Sequence, residues 1–183
     1  MIPLFHDFEG ETVLVFGGGP VGARKARRFA REARVVVVSP EFVDADFGED
    51  DGEVEFVRAA PSPADVESWF DRLSPALAVA ATDDALVNAA VDEVARDRGV
   101  LTNRTDVAGS DRDPGSVVVP ATARDGPVTV AIGTGGASPA LSGYLRERIE
   151  GELDGVGEMA SLTSGLREEL KRNGVEPAAR RAA

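Results

Sequence analysis

Over the first hundred positions, short unbroken apolar runs alternate with segments whose apolar residues recur every three or four places. Thr12 to Phe16 read TVLVF between glycines, the pattern of a strand buried on both faces. The segment Pro20 to Glu32 sets Ala23, Ala26, Phe29 and Ala30 on one helical face, and RVVVVS at 34–39 is a second apolar run. An acidic loop follows, then VEFV at 54–57, a helix starting near Ser62 to Ala64, and another buried run, ALAVAAT, at 76–82. Asp83 or Asp84 is placed to cap a helix that continues to about Arg98, Gly99 to end it, and VLTN at 100–103 to form a fifth strand. Strands and helices in this alternation predict an α/β fold with a parallel, right-handed, doubly wound sheet.

The pattern then changes. SVVVPA at 116–121 and PVTVAIG at 127–133 flank Arg124-Asp125-Gly126, and Asp-Gly between apolar runs predicts an antiparallel pair. Helical spacing runs from Ser138 to about Glu150, a second helix is expected from Gly157 to Arg172, and Asn173-Gly174 closes it. The polar stretch VAGSDRDPG at 107–115 separates the two patterns, and the final VEPAARRAA reads as frayed. The expected division is residues 1–112 for the doubly wound domain, 113–145 for a small β region and 146–183 for a helical segment.

Composition narrows the chemistry. The chain has no cysteine, which removes disulfides and thiolate chemistry, and a single histidine, His6, so no metal site is expected. A formal charge of −12 leaves no positive field to collect phosphates, so nucleic acid is not an expected partner. Lys25 and Lys171 are the only lysines, and acidic runs such as GEDDGE at 48–53 suggest a protein working in concentrated salt; an ordinary acidic protein is the plainer alternative. Neither a basic leader nor an apolar stretch of membrane-spanning length is visible, so the expectation is a soluble, cytoplasmic protein with no membrane partner.

Gly17-Gly18-Gly19-Pro20-Val21-Gly22 fits G-x-G-x-x-G between a predicted strand and helix, the context in which this motif binds a dinucleotide. Gly17 suits the tight turn, Gly19 lets the backbone approach a pyrophosphate, and Gly22 permits close packing of helix on strand. Pro20 and Val21 open the helix whose N–H groups face the phosphates. About 20 residues on, where an acidic residue typically meets the ribose, stand Ser39, Pro40 and Glu41. No arginine follows Ser39 immediately, so NAD is expected rather than NADP.

The motifs PLF at 3–5, VLVFGGGPVGARKA at 13–26, VVVVSPEF at 35–42, AVAATDDALVN at 78–88, NRTD at 103–106, VVPA at 118–121 and VTVAIGTGGASPALSGYLRERIE at 128–150 occur in that order. In them the chain resembles the precorrin-2 dehydrogenases, including the N-terminal half of siroheme synthases. The resemblance implies a Rossmann-like domain, a small β dimerisation region, a helical C-terminal segment and a homodimer. It also implies oxidation of precorrin-2 with NAD to sirohydrochlorin and NADH; some members of the family also insert ferrous iron, and a bifunctional dehydrogenase and ferrochelatase is one alternative reading. A non-catalytic module that binds NAD or tetrapyrrole is the other.

Oxidising precorrin-2 removes a hydride and also a proton, so a carboxylate near the ring is needed. Asp106, just past the fifth strand, occupies the position of the family's catalytic aspartate; by spacing alone it is equally a turn-capping loop residue. Thr134, Gly135, Gly136 and Ser138 lie in the loop before the first C-terminal helix and are expected to receive the acidic macrocycle, although Ser138 with Pro139 also reads as an N-cap and N1 pair. Thr134 stands where the family can carry a serine. Thr82 is expected to border the nicotinamide, with Asn88 and Asn103 nearby; Asn103 is assigned to the substrate, and a capping role explains Asp83 or Asp84 as well.

Overall fold

The computed structural model describes residues 2–107 and 116–177. The stretch 108–115, where the sequence places the boundary, and the tail 178–183 lie outside the described residues. Two compact units are present: one spans Leu4–Val119, and the other begins at Pro120.

In the first unit the elements run β1 (Thr12–Phe16), α1 (Pro20–Phe29), β2 (Arg34–Ser39), β3 (Val54–Arg58), α2 (Val66–Leu73), β4 (Leu77–Ala80), α3 (Ala85–Asp97) and β5 (Leu101–Arg104). All five strands pair in parallel in the order β3-β2-β1-β4-β5. Alternation along each strand divides the core in two. Val13, Val15, Val35, Val37 and Val79 face Ala23, Ala26 and Phe29 of α1, while Leu14, Phe16, Val36, Val38 and Ala80 face Val66, Trp69 and Phe70 of α2 and Val87 and Val91 of α3. Helices therefore cover both faces, as the unbroken apolar strands require.

Local chemistry sets the ends of these elements. Asp84 caps α3 by accepting from the N–H groups of Leu86 (2.8 Å) and Val87 (3.3 Å). Ser62 and Asp65 form a reciprocal capping box at a short 3-10 turn, Pro63–Asp65, that leads into α2. The β2–β3 connection contains no helix; Phe42 and Phe47 from it pack edge-on against Phe56 of β3, with centroids 5.1 Å apart in each case. β3 is an edge strand, and Arg34 of β2 pairs with Glu53 and with Glu55 on it.

In the second unit the antiparallel pair is β6 (Ala121–Asp125) with β7 (Val128–Ile132), followed by α4 (Pro139–Leu153) and α5 (Val156–Arg172). The first arm of the hairpin is thus 121–125 and not the apolar run 116–121. The turn explains this: Gly126, with φ +52°, and Pro127 form a two-residue connection, which pairs Asp125 with Val128 and fixes the register backwards from there. The apolar run serves the first unit instead. Ser116 bridges to Thr102, the Val117 N–H donates to the Thr102 carbonyl at 2.7 Å, and Val117 and Val119 pack on the α1-side core. Asp125 then holds the start of α5, its carboxylate accepting from the Gly157 N–H at 2.8 Å. Among the described residues no helix is long and apolar enough to cross a membrane.

Candidate functional site

The carboxyl ends of β1, β2, β4 and β5 gather the sequence-predicted residues of the first unit on one end of the sheet. Because α1 leaves β1 on one face and α3 leaves β4 on the other, β1 and β4 flank a topological switch point, the place where open parallel sheets form a crevice.

The glycine loop is shaped by contact. Gly17 has φ +115°, and a methyl placed there would collide with the Ala81 carbonyl at the end of β4. At Gly18 a methyl would strike the Glu41 carbonyl, and at Gly22 the Gly17 carbonyl. Gly19, the N-cap of α1, is different: a methyl there meets nothing within 4 Å. The fold thus has packing reasons for glycine at 17, 18 and 22 but leaves open space at 19, where the motif needs the backbone bare toward a pyrophosphate. No capping side chain occupies that N-terminus, and Pro20 stands at its first turn. The loop and its arrangement therefore fit a dinucleotide.

Ser39, buried at the end of β2, and Pro40 and Glu41, both exposed, wrap this loop. Val43 donates its N–H to the Gly18 carbonyl at 2.9 Å, and Gly17 donates to the Val38 carbonyl at 3.0 Å, so the two segments are hydrogen-bonded to each other.

On the other side of the switch point, Thr82 is held by Asn88, a fully buried residue of α3. The Asn88 Oδ1 accepts from the Thr82 hydroxyl (2.8 Å) and N–H (3.2 Å), and its Nδ2 donates to the Thr82 carbonyl (2.9 Å). Asp106 receives a two-pronged ion pair from Arg104, Nε to Oδ1 at 3.1 Å and Nη2 to Oδ2 at 2.6 Å, with the Arg104 side chain only 14% and the Asp106 side chain 28% exposed. Donation from Arg104 holds the Asp106 carboxyl below the usual carboxylate range, against a smaller opposing effect of burial. The Asn88 amide makes a smaller contribution in favour of the ionised carboxyl of Asp106. The Thr82–Asn88 pair and the Arg104–Asp106 ion pair thus stand at the carboxyl ends of neighbouring strands, β4 and β5, and the second of them holds an ionised carboxylate.

Arg104 was not singled out by the sequence reading. Its signal is its place two residues before Asp106 in NRTD, where Thr105 turns the chain by donating to the Ala80 carbonyl at 3.1 Å and lets the two charged side chains meet. Asn103 donates from Nδ2 to the Val117 carbonyl at 2.7 Å, while its buried Oδ1 has no partner among the described residues.

The remaining predicted residues belong to the second unit. Ser138 caps α4, its hydroxyl accepting from the Leu141 N–H at 3.1 Å. The Thr134 hydroxyl bonds the Ser138 carbonyl (3.2 Å) and the Ser142 hydroxyl (3.0 Å), tying the loop to the first turn of α4. Gly135 and Gly136, with φ +64° and +84°, form the bend between them. Among the described residues no group of three or more His, Cys, Asp or Glu side chains is placed to hold a metal ion.

Comparison with known proteins gives the same ordering. Residues 4–121 match the family described as "Putative NAD(P)-binding", and residues 125–152 the one described as "Sirohaem biosynthesis protein central". The chain is 34% identical over 179 residues to a precorrin-2 dehydrogenase of Methanosarcina barkeri, covering 96% of this chain and 77% of that one. It is 35% identical over 175 residues to a siroheme synthase of Azotobacter vinelandii, covering 93% of this chain but only 35% of the synthase, so it spans about a third of that relative. A solved structure of SirC, a precorrin-2 dehydrogenase, superposes with a TM-score of 0.76 at 25% identity, covering all of this chain and 86% of the other. With a relative of that similarity matched over most of both lengths, on the fold and glycine loop just described, the chain belongs to the family of precorrin-2 dehydrogenases and siroheme synthase N-terminal domains.

Proposed function

We propose that this chain oxidises precorrin-2 to sirohydrochlorin with NAD, with Asp106 as the proton acceptor. The observation that supports this reading most is the Arg104–Asp106 ion pair, which holds an ionised carboxylate just past β5, on the end of the sheet that carries a glycine loop open at Gly19. NAD, when bound, supplies the hydride acceptor. Gly17, Gly19, Pro20, Val21 and Gly22 take its pyrophosphate, Ser39, Pro40 and Glu41 its adenosine ribose, and Thr82 borders its reactive end.

Loss of a hydride leaves the macrocycle positively charged, and a proton on that cation is acidic. A carboxylate that is always ionised, though a weak base, is then sufficient to accept it, and Arg104 keeps Asp106 in that form. Asn103, whose Oδ1 has no partner among the described residues, and the Thr134–Ser138 loop are the groups we assign to the substrate. The Thr134 and Ser138 hydroxyls are already engaged within their own loop, so the backbone of Gly135 and Gly136 is the part we assign to the substrate's carboxylates.

The assignment has a pH signature. A depressed carboxyl in the folded protein contributes stability that is complete above its unfolded value, about 3.9, and is lost as pH falls through the lower folded value. The acid limb of kcat/KM belonging to Asp106 is therefore expected below the ordinary carboxylate range, and Arg104→Gln is expected to move it upward. A limb that stays in place in the variant would remove Arg104 from this role.

We also propose a homodimer. Val156, Met159, Leu162 and Leu166 fall on one face of α5 and are exposed in the single chain, a stripe suited to a second copy. Sedimentation is expected to give a dimer that Met159→Glu with Leu162→Glu converts to monomer; an unchanged mass would reject the stripe as the contact. The acidic surface supports the further reading of a cytoplasmic protein of concentrated salt, so assays belong in molar salt.

The test is NADH appearance on mixing the purified protein with precorrin-2 and NAD anaerobically. Turnover supports the dehydrogenase; a folded protein that binds NAD without turnover supports a binding module instead.

A further inference from the structure

The arginines of the first unit are commonly held by carboxylates: Arg27 by Asp46, Arg31 by Asp51, Arg34 by Glu53 and Glu55, Arg98 by Glu67 and Asp71. Arg58 departs from this. It is exposed and makes no ion pair among the described residues; its Nη1 donates to the Pro40 carbonyl at 3.1 Å, and its guanidinium carbon lies 5.6 Å from the centroid of the Phe42 ring.

Its position follows from strand register. β3 pairs with β2 so that Arg58 stands beside Ser39, and the Ala59 N–H donates to the Ser39 carbonyl at 3.1 Å. Val35 and Val37 face the α1-side core, so by alternation Ser39 and its neighbour Arg58 lie on the α1 face. The residues that orient Arg58 are also those that wrap the glycine loop: a methyl at Gly18 would meet the Glu41 carbonyl, the Phe42 ring and the Ser39 Cβ. Arg58 is therefore separated from the phosphate loop by one aromatic ring, at the end of the second strand.

That is where a Rossmann site discriminates its nucleotides: an acidic residue binds the ribose 2′-hydroxyl of NAD, and a nearby arginine accommodates the 2′-phosphate of NADP. No arginine follows Ser39 immediately in the chain, but the fold delivers one from the next strand. The cation–π contact with Phe42 uses no donor, and the single bond to Pro40 leaves the other donors for an anion. We propose that Arg58 is a specificity-determining residue that takes the 2′-phosphate of NADP, so that this site accepts NADP as well as NAD. Glu41, exposed on the same segment, opposes it by repelling that phosphate while favouring the 2′-hydroxyl. The proposal rests on reading the glycine loop as a pyridine-nucleotide site.

Calorimetric titration of the full chain with NAD and with NADP tests it without any turnover. NADP is expected to bind within about tenfold of NAD. Arg58→Gln is expected to weaken NADP by about tenfold to a hundredfold, the range one charge-assisted contact supplies, and NAD by less than about threefold. Glu41→Gln is expected to strengthen NADP. Retained NAD affinity shows that Arg58→Gln is folded, and an unchanged thermal unfolding midpoint shows it for Glu41→Gln, whose NAD affinity is expected to fall. If wild type binds NAD but not NADP, or if Arg58→Gln weakens both alike, the proposal is overturned while the nucleotide site stands; if neither nucleotide binds, both fall.

Discussion

Replacing Asp106 by Asn is expected to lower kcat by about 10²–10⁴-fold, the contribution of a positioned proton acceptor, with NAD affinity unchanged. The substitution keeps shape but removes the charge that Arg104 grips at 2.6 and 3.1 Å. Arg104 is then left mostly buried opposite a neutral amide, and a stability loss of roughly 1–3 kcal/mol accompanies the loss of rate. Single-turnover NADH formation and thermal unfolding measured on the same preparation separate the two effects. Unchanged turnover in Asp106→Asn would sink the assignment, whatever the change in stability.

Two alanine substitutions in the glycine loop, three residues apart, are expected to fail in opposite ways. At Gly22 an added methyl would overlap the Gly17 carbonyl, a backbone atom that cannot swing aside, so α1 has to shift off the sheet. The expected cost is roughly 1–3 kcal/mol or more, which in a chain of this length is roughly 2–4 °C in Tm for each kcal/mol. Gly19→Ala meets only open space, so Tm is expected to change little beyond the small preference for glycine over alanine at an N-cap. Its methyl instead stands where the pyrophosphate approaches, and NAD affinity is expected to fall by about tenfold or more. Calorimetric binding beside thermal unfolding reads both. Gly19→Ala binding NAD as wild type does would mean that the open space at Gly19 is not the cradle.

Much of the first unit was legible because its signals are local. Five apolar runs, the glycine loop and the cap at Asp84 each depend on residues close in sequence, and each reads correctly from one short window. The hairpin was misplaced for the same reason: SVVVPA looks like a strand in isolation, but Gly126-Pro127 fixes which five residues pair with β7, and the apolar run is drawn to β5. What sequence could not give was the company each site residue keeps. Asn88 holds Thr82 from within α3, Thr105 is turned by the Ala80 carbonyl so that Arg104 meets Asp106, and Arg58 reaches Pro40 only through the β2–β3 register. The last two depend on pairing between strands, which no local pattern encodes. Thr134 and Ser138 show the converse, since their local hydrogen bonds are just those a loop before a helix would need.

β3 closes one side of the sheet, with β2 its neighbour within the sheet, so its outer row of N–H and C=O groups is a template for another chain to add a strand. The strand is short and carries Glu55 and Arg58 among its apolar residues, with Glu53 just before it. An incoming apolar strand would have to strip water from those charges. Arg58, which borders the nucleotide end, thus also acts with Glu53 and Glu55 as a gatekeeper against aggregation, at the edge that slow-forming parallel pairing leaves open longest.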